Sequence, residues 1–445
     1  MTIPAKIARI AILHHVGGGN LGDEAIIEAV IRNVRRRCKG AEIAVFSMNP
    51  DDTAKRHGVS AFPIRWYEWV LGYASRKDTA PATATEQLLQ SLHLNRNPVV
   101  RLARAGFHEL RLLARSYRRL KTFDVLIVSG GGQLTERGGS WSFPYSLFAW
   151  AHLAKASRTP CVFLNIGAGP LTRPLSRFFA RRALVAADYV SFRDSRSQSL
   201  AASIGFARPS FVFPDNAFGL DVPGNQSAAI RQSPVVGIAP MPFPIADQLN
   251  PQPGPQDIQK CFIAKVAAFA WLLTEQSYSL QFFGTDIGAD PPEIGSLCSV
   301  LQSQHQLLPP EYRPVNSLDE LITRMMSMDF VVTCRFHGVV LAALLEKPVM
   351  ALSHHPKVTE LMRTLGLHQY CREMRSFDPE EFYTTFLSLV RNAEDIREHL
   401  AEKVLAFRTQ LTEQYDMLFS QELQPRAAQR AIRRRRSFRA IALGV

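Results

Sequence analysis

Short apolar runs rich in β-branched residues alternate with helical patterns along the chain. In the first half, the predicted strands are KIARIAILHH, AEIAVFSM, FDVLIVSGG, TPCVFLNIG and DYVSFRD. Several of them end in glycine or a polar residue, and a segment with apolar residues at helical spacing follows. This rhythm predicts a parallel sheet covered by helices, with ligand-binding loops at the carboxyl ends of its strands.

A second alternation begins after residues 226–233, a polar segment typical of a linker. Its predicted strands are PVVGIAP, SLQFFGTD, DFVVTCR and PVMALS, with a helix around Cys261–Thr274 and mainly helical patterns after Pro379. We therefore expect an α/β fold of two Rossmann-like domains facing each other across a cleft. The expected division is residues 1–225 with a helical insertion at 65–121, residues 234–425, and a basic tail at 426–445.

Composition narrows the class of protein. Of the 445 residues, 46% are hydrophobic and 20% charged, which excludes a mainly disordered chain. No run of about 18 apolar residues lacks charges, and the N-terminus is typical of a first strand, so neither a transmembrane helix nor a signal peptide is predicted. The six cysteines are scattered without a CxxC pair, which indicates reduced thiols in the cytoplasm and no zinc or iron–sulfur site.

The net charge of +13 is concentrated in two segments. Residues 101–121 hold seven Lys and Arg with one acid, and residues 426–445 hold seven Arg with none. A nucleic-acid enzyme normally spreads positive charge along a groove, so no nucleic-acid partner is expected. Arg mixed with Ile, Phe and Leu in the tail favours peripheral contact with an anionic membrane surface, and a solvated tail is the alternative.

The first candidate site is the glycine-rich turn in HHVGGGNLGDEA. Gly17, Gly19 and Gly22 match G-x-G-x-x-G, but Asp23 in the first helical turn would oppose a dinucleotide phosphate. A turn in which Asp23 merely caps the helix is one alternative. The other is a functional loop that offers Asn20 and Asp23 to a hydroxylated substrate, and we expect Gly19 to belong to it.

Two further glycine turns, SGGGQLTE and NIGAGPLT, follow apolar strands. Gly131 and Gly132 in the first turn would let backbone amides approach a ligand closely, and simple turn geometry is the alternative for either motif alone. In DYVSFRDSRSQSLAASIG, Arg193 ends a strand and Asp194 or Ser195 is expected to cap a helix that stops at Gly205. Arg193 could contact an anionic ligand there or pair with a local carboxylate such as that of Asp194.

The strongest candidate lies in DFVVTCRFHGVVLAALLEKPVMALSHHPKV, residues 329–358. A buried strand delivers Arg335, Phe336 and His337 to the start of an apolar helix. An arginine beside a helix N-terminus suits phosphate or carboxylate, and a histidine can transfer a proton near neutral pH. Because Arg335 and His337 are two residues apart, we expect both side chains on the same side of an extended segment. Lys357 is a candidate second cation, and a solvated lysine is the alternative. For His337 and Arg335 the alternative is a core histidine and a structural arginine.

Taken in order, GGGNLGDEAI, SGGGQL, NIGAGP, FRDSRS, PDNAF, CRFHG and SHHPKV resemble the polysaccharide pyruvyltransferase family. The resemblance covers about residues 10 to 370, interrupted by the insertion. It implies a glycosyltransferase-B-like fold with an acceptor-side N-terminal domain and a donor-side C-terminal domain that binds phosphoenolpyruvate. One departure is His355, where an acid is commoner before the Pro-Lys pair, and another is the absence of an arginine in IAPMPFP.

The resemblance also implies roles for particular residues. Arg193 and Arg335 would bind the donor together with Phe336, and His337 would be the catalytic acid. Asp23 is our candidate for the group that accepts the acceptor hydroxyl proton. The expected partner is a sugar of an exopolysaccharide, capsule or cell-wall glycan, either free or lipid-linked. No cofactor or metal is expected.

Two other functions remain open at this point. A nucleotide-sugar-dependent glycosyltransferase of the same fold would bind a nucleoside diphosphate. A non-catalytic glycan- or anion-binding protein would bind ligands without turnover.

Overall fold

The computed structural model describes residues 7–65, 98–223, 233–243 and 255–423. By their contacts the residues form two compact units. Of the described residues, those within 1–18, 26–216 and from 410 onward form unit 1, and those within 19–25 and 217–409 form unit 2. The predicted linker lies mostly outside the described residues, as do residues 66–97 of the insertion and the whole basic tail.

Unit 1 is built on a sheet whose described strands all run parallel. From one edge to the other the strands are β3 (Ser60–Pro63), β2 (Glu42–Ser47), β1 (Arg9–Leu13), β4 (Val125–Val128), β6 (Cys161–Ala168), β7 (Tyr189–Phe192) and β8 (Phe211–Val212), and β5 (Gly131–Leu134) also pairs with β6. The central strands are buried on both faces, as expected for their continuous apolar runs.

Six α-helices are found among the described residues up to residue 216. They are α1 (Leu21–Arg37), α2 (Pro50–His57), α3 (Pro98–Leu120), α4 (Phe143–Ala156), α5 (Pro174–Ala186) and α6 (Ser195–Ser203). In the core of unit 1, Phe46 packs against Trp150 with ring centroids 4.4 Å apart, and the Trp150 indole donates a hydrogen bond to the Ile64 carbonyl. The helical character predicted for the insertion is confirmed for α3.

Unit 2 has a smaller parallel sheet. Its strands lie in the order β10 (Ser279–Phe282), β9 (Val235–Ala239), β11 (Phe330–Thr333), β12 (Val349–Ser353) and β13 (Cys371–Glu373). The helices of this part of the chain are α7 (Pro255–Glu275), α8 (Pro291–His305), α9 (Leu318–Met326), α10 (Phe336–Leu344), α11 (Pro356–Thr364), α12 (Pro379–Arg391) and α13 (Ala393–Met417). Every residue of α10 is buried, in accord with its apolar sequence.

The two units exchange segments of chain. Residues 19–25, which sequence analysis assigned to the N-terminal domain, cluster with unit 2, and residues 410–423 cluster with unit 1. In unit 1, Gln414 Nε2 donates hydrogen bonds to Asn165 Oδ1 at 2.8 Å and to Ser191 Oγ at 2.9 Å, and all three side chains are buried. Asn165 Nδ2 returns a hydrogen bond to Gln414 Oε1 at 2.9 Å.

The predicted fold class, two parallel α/β domains, is confirmed, and each of the nine predicted strands contains an observed one. The strands that the sequence pattern did not indicate are short or polar, namely β3, β5, β8 and β13. No helix among the described residues is long and apolar enough to cross a membrane.

Candidate active site

The turn between β11 and α10 presents the strongest candidate residues of unit 2. β11 is buried along its whole length, and the chain leaves it at Cys334. Arg335 is the extended N-cap residue of α10, and its backbone N–H donates to Thr333 Oγ1 at 3.2 Å. The side chains therefore start from a rigid strand end beside a helix N-terminus, a position that favours anionic ligands.

Arg335 forms an ion pair with two aspartates of unit 2. Its Nε and Nη2 both donate to Asp290 Oδ1, the former at 3.2 Å, and Nη2 lies 3.9 Å from Asp286 Oδ2. The Arg335 side chain is 18% exposed, whereas that of Asp290 is fully buried. Nη1 of Arg335 has no hydrogen-bonding partner within the part of the chain that the structure describes, so this nitrogen can meet an anion.

The loop after β10 supports this aspartate. Asp290 Oδ2 accepts hydrogen bonds from the backbone N–H groups of Thr285 at 2.9 Å and Asp286 at 3.0 Å. Burial raises the pKa of the Asp290 carboxyl, and Arg335 acts against this effect. With four N–H donors on its two oxygens, the group is held as a carboxylate. Burial lowers the pKa of Arg335, but Asp290 and Asp286 outweigh burial and the net shift is upward.

The glycine-rich turn at the start of α1 packs in the same unit, directly on this loop. Residues 19–21 run antiparallel to residues 285–287, with Leu21 N–H donating to Thr285 O and Ile287 N–H donating to Gly19 O, both at 2.8 Å. Gly22 then touches the His337 ring. A Cβ added at residue 22 would lie 2.5 Å from His337 Cβ and would overlap with Nδ1 and Cγ of the ring.

His337 lies in the first turn of α10 and is 9% exposed. Its ring meets the Phe336 ring edge to face, with centroids 5.1 Å apart. Since α10 begins at Phe336, the expectation that Arg335 and His337 share one side of an extended segment is wrong. The alternation of a strand ends at Arg335, which points to Asp290 while His337 packs against Gly22.

Asn20, and not Asp23, caps α1. The Asn20 Oδ1 atom accepts a hydrogen bond from Gly22 N–H at 2.9 Å, which satisfies one of the unpaired donors at the helix start. Asp23 is half-buried in the first turn. Sequence analysis expected Asp23 in the domain opposite His337. Instead, both residues belong to unit 2, and Asp23 follows the glycine that contacts the histidine.

Lys357 is half-buried at the start of α11, and His355 is the N-cap of that helix. His355 Nδ1 accepts the Lys357 backbone N–H at 3.2 Å, so the imidazole caps the start of α11. The neighbouring His354 has its pKa lowered to about 3 by burial, by Lys357 and His355, and by Arg335. The positive charges of Lys357 and Arg335 therefore both act on His354.

In unit 1, Arg193 is likewise held by carboxylates. Its Nη1 lies 3.2 Å from Asp215 Oδ2 and its Nε lies 3.4 Å from Asp194 Oδ2. Asp194 caps α6 by accepting the Ser197 N–H at 2.6 Å, as predicted. Gly167 makes room for the guanidinium, because a Cβ there would lie 2.5 Å from Arg193 Cζ.

Gly131 and Gly132 are the first two residues of β5, which follows the turn after β4 and pairs with β6. Gly131 is buried and pairs with Ile166, whereas Gly132 is exposed and a Cβ there would meet nothing within 4 Å. Beside them, His15 Nδ1 lies 2.8 Å from Gln133 Oε1. Gln133 uses its Nε2 to donate to the Gly130 carbonyl, which fixes Oε1 as the acceptor and places the His15 proton on Nδ1.

His15 and Gln133 were not selected from the sequence. Burial lowers the pKa of His15 to about 4, Gln133 opposes that effect and Arg65 adds to it. The ring is therefore neutral at pH 7, and its Nε2 is a buried acceptor with no hydrogen-bond partner among the described residues. The only available sequence signal was a histidine after β1 and a glutamine after the glycines of SGGGQ.

Seven of the predicted site residues share unit 2: Gly19, Asn20, Asp23, Arg335, Phe336, His337 and Lys357. The other three, Gly131, Gly132 and Arg193, belong to unit 1. Sequence reasoning missed the carboxylates that hold the two arginines, Asp290, Asp286 and Asp215. Asp215 belongs to the PDNAF motif, and this motif is the sequence feature from which its role could have been predicted. The described residues contain no group of three or more His, Cys, Asp or Glu arranged to hold a metal ion.

The arrangement of strands defines a two-domain Rossmann-like fold of the glycosyltransferase-B kind, and solved structures share it. A putative UDP-N-acetylglucosamine 2-epimerase from Listeria monocytogenes is similar at a TM-score of 0.56 and 12% identity, with 95% of this chain and 99% of that chain covered. A glycosyltransferase from Rickettsia africae gives a TM-score of 0.54 at 9% identity, covering 94% and 100%. S. aureus MnaA in complex with UDP gives 0.51 at 13% identity, covering 89% and 91%.

At these identities the likeness concerns the fold alone. Comparison with curated proteins gives no match. The polysaccharide pyruvyl transferase family, in contrast, matches residues 20–356, a range that begins at Asn20 and ends just before Lys357. The chain belongs to this family and is a transferase of polysaccharide biosynthesis.

Proposed function

We propose that the protein transfers the pyruvyl group of phosphoenolpyruvate to a sugar of an exopolysaccharide, capsule or cell-wall glycan, or to its lipid-linked precursor, and forms a cyclic ketal. The observation that carries the proposal is the family match over residues 20–356. Within it, Arg335 is the N-cap of α10 and His337 lies in the first turn of that helix.

The donor carries a phosphate and a carboxylate, and guanidinium groups and a helix N-terminus suit both anions. In unit 2, Arg335 would use Nη1 and the first turn of α10 would add its backbone dipoles. Asp290 keeps the guanidinium plane fixed, which favours a defined orientation over a flexible contact. Lys357 adds a further positive charge in the same unit, and Arg193 is the candidate arginine of unit 1.

The chemistry needs a proton at C3 of the donor so that C2 becomes electrophilic. His337 in its imidazolium form supplies that proton, and Gly22 positions the ring. One sugar hydroxyl adds to C2 and phosphate departs with the donor oxygen. A second hydroxyl then closes the ketal. The two sugar hydroxyls release two protons in all. These balance the proton given to C3 and the proton that the departing phosphate takes up. Asp23 is the candidate acceptor of the proton from the first hydroxyl.

The test incubates the full chain with phosphoenolpyruvate and a panel of galactosides, glucosides and mannosides. Acceptor-dependent phosphate release together with a ketal methyl signal in the product is the expected result, and it excludes a non-catalytic binding protein. Transfer from a nucleotide sugar, with no release from phosphoenolpyruvate under the same conditions, would overturn the proposal in favour of a glycosyltransferase.

A further inference from the structure

A cavity of about 400 Å³ lies in unit 1 where β2 and β3 end and where α3 passes. Its wall includes Met48, Asn49 and Asp51, at the start of α2, and Pro63 after β3. The volume falls in the range of small-molecule sites, and the carboxyl ends of parallel strands are where such folds bind ligands. None of the residues assigned to pyruvyl transfer lines it.

The opposite wall is cationic. Arg111, Arg115 and Arg119 follow one another at four-residue steps along α3 and all three line the cavity. Like charges at this spacing destabilise a helix, so the arrangement costs stability unless a counter-charge is supplied. None of the three has a hydrogen bond or ion pair to a carboxylate in the described ranges, and Asp51 is the single acid among the lining residues.

Two neighbouring contacts shape this wall. The Arg119 guanidinium carbon lies 4.0 Å from the centre of the Phe62 ring, which holds its stem against β3. Arg65 also lines the cavity, but it is buried and already engaged, since it donates to the carbonyls of Trp141 and Ser142 and lies 3.6 Å from Glu109. The available positive charge therefore comes from α3.

The rise of a helix places the outer two of these arginines about 12 Å apart, further than one phosphate can bridge. Guanidinium forks match phosphate oxygens in pairs. We propose that this cavity is a binding site for the diphosphate group of a ligand, contacted by Arg111, Arg115 and Arg119. The site goes beyond pyruvyl transfer and requires none of its residues.

The experiment measures binding of inorganic pyrophosphate to the full chain by titration calorimetry. Arg115→Gln and Arg111→Gln should each weaken binding about tenfold, the loss expected for one charge-assisted contact. The matched control is Arg118→Gln, which removes one charge from the same helix at a position that is exposed, as Arg111 and Arg115 are, but does not line the cavity. It should change the affinity less than twofold.

Competition with uridine diphosphate and with geranyl diphosphate distinguishes a nucleoside source of the diphosphate from an isoprenoid source. The proposal is overturned if pyrophosphate does not bind. It is also overturned if Arg118→Gln weakens binding as much as Arg115→Gln, because pyrophosphate would then be attracted by the overall positive charge of α3 and not by a defined site. The KM for phosphoenolpyruvate should be unchanged in Arg115→Gln. If the chain fails to transfer pyruvate, the result on pyrophosphate binding still stands. If pyrophosphate fails to bind, the result on pyruvyl transfer still stands.

Discussion

Gly22 in the first turn of α1 supports the imidazole of His337 by direct contact, and only a residue without a Cβ fits there. The third glycine of the G-x-G-x-x-G pattern therefore has a role unrelated to dinucleotide binding. It allows the amino ends of α1 and α10 to approach closely within unit 2.

Replacing Gly22 with alanine should displace the His337 ring. We expect kcat for pyruvyl transfer to fall about 100-fold, of the order of a lost general acid, with a smaller change in KM. Gly295→Ala in α8 is the matched control, because a Cβ there meets nothing within 4 Å and should stabilise the helix slightly. A Gly22→Ala enzyme with normal kcat would remove the argument for His337 positioning.

His337→Gln should lower kcat by about 10²–10⁴-fold while phosphoenolpyruvate still binds, because glutamine keeps a polar side chain but cannot supply the proton. The limb of the pH–rate profile on the basic side should disappear. Steady-state kinetics and donor titration separate the outcomes. Near-normal turnover would show that another group is the acid, and loss of binding with an intact fold would make His337 an anion-recognition residue.

Arg335→Lys should mainly raise KM for phosphoenolpyruvate, because lysine cannot reproduce a planar fork that meets Asp290 and an anion together. Thermal unfolding of the same variant distinguishes lost recognition from lost stability. An unchanged KM would exclude Arg335 from donor binding.

Asp290→Asn should destabilise unit 2 by about 3 kcal/mol, as expected when one partner of a buried ion pair is neutralised. The new amide group would also face the N–H donors of Thr285 and Asp286. Glu311→Gln serves as the comparison, since its pair with Arg313 is exposed and should contribute little. Denaturant unfolding of the two variants measures the difference, and equal midpoints would contradict the structural role of Asp290.

The stability of the chain should depend on pH through His354. Its pKa is about 3 in the folded chain, against an ordinary value of 6.5, so the unfolded chain takes up the proton first as pH falls. Stability is therefore lost between pH 6.5 and pH 3, by about 3 kcal/mol at pH 4. His354→Gln should flatten the pH dependence of the melting temperature, whereas the exposed His368→Gln should not. Parallel curves for His354→Gln and the unmodified chain would refute this.

Deleting residues 426–445 should weaken binding to anionic vesicles while turnover on a soluble acceptor persists. Seven arginines without an acid supply the attraction. Flotation of both chains with vesicles rich in phosphatidylglycerol, at low and high salt, gives the measurement. Equal flotation would exclude a membrane role for the tail.

The sequence predicted those parts of the fold whose signal is local. Buried runs such as VLIV at 125–128 marked strands, and Asp194 marked a helix start. The partners of the site residues were not local. Asp290 is 45 positions before Arg335, and Gly22 is more than 300 positions before His337, so no spacing rule joins them. The change from strand to helix at Phe336 also depends on the packing of α10, which the alternation pattern could not show.

The hydrogen bonds between Gln414 and Asn165 have a consequence for synthesis of the chain on the ribosome. Asn165 and Ser191 leave the ribosome 249 and 223 residues before Gln414 does, and until then they lack the hydrogen bonds that its amide provides. The interior of the N-terminal sheet is therefore completed only when α13 has been synthesised. A ribosome that stops at residue 409 leaves a nascent chain that has every residue of unit 2, whereas unit 1 still lacks Gln414 and the rest of its last segment.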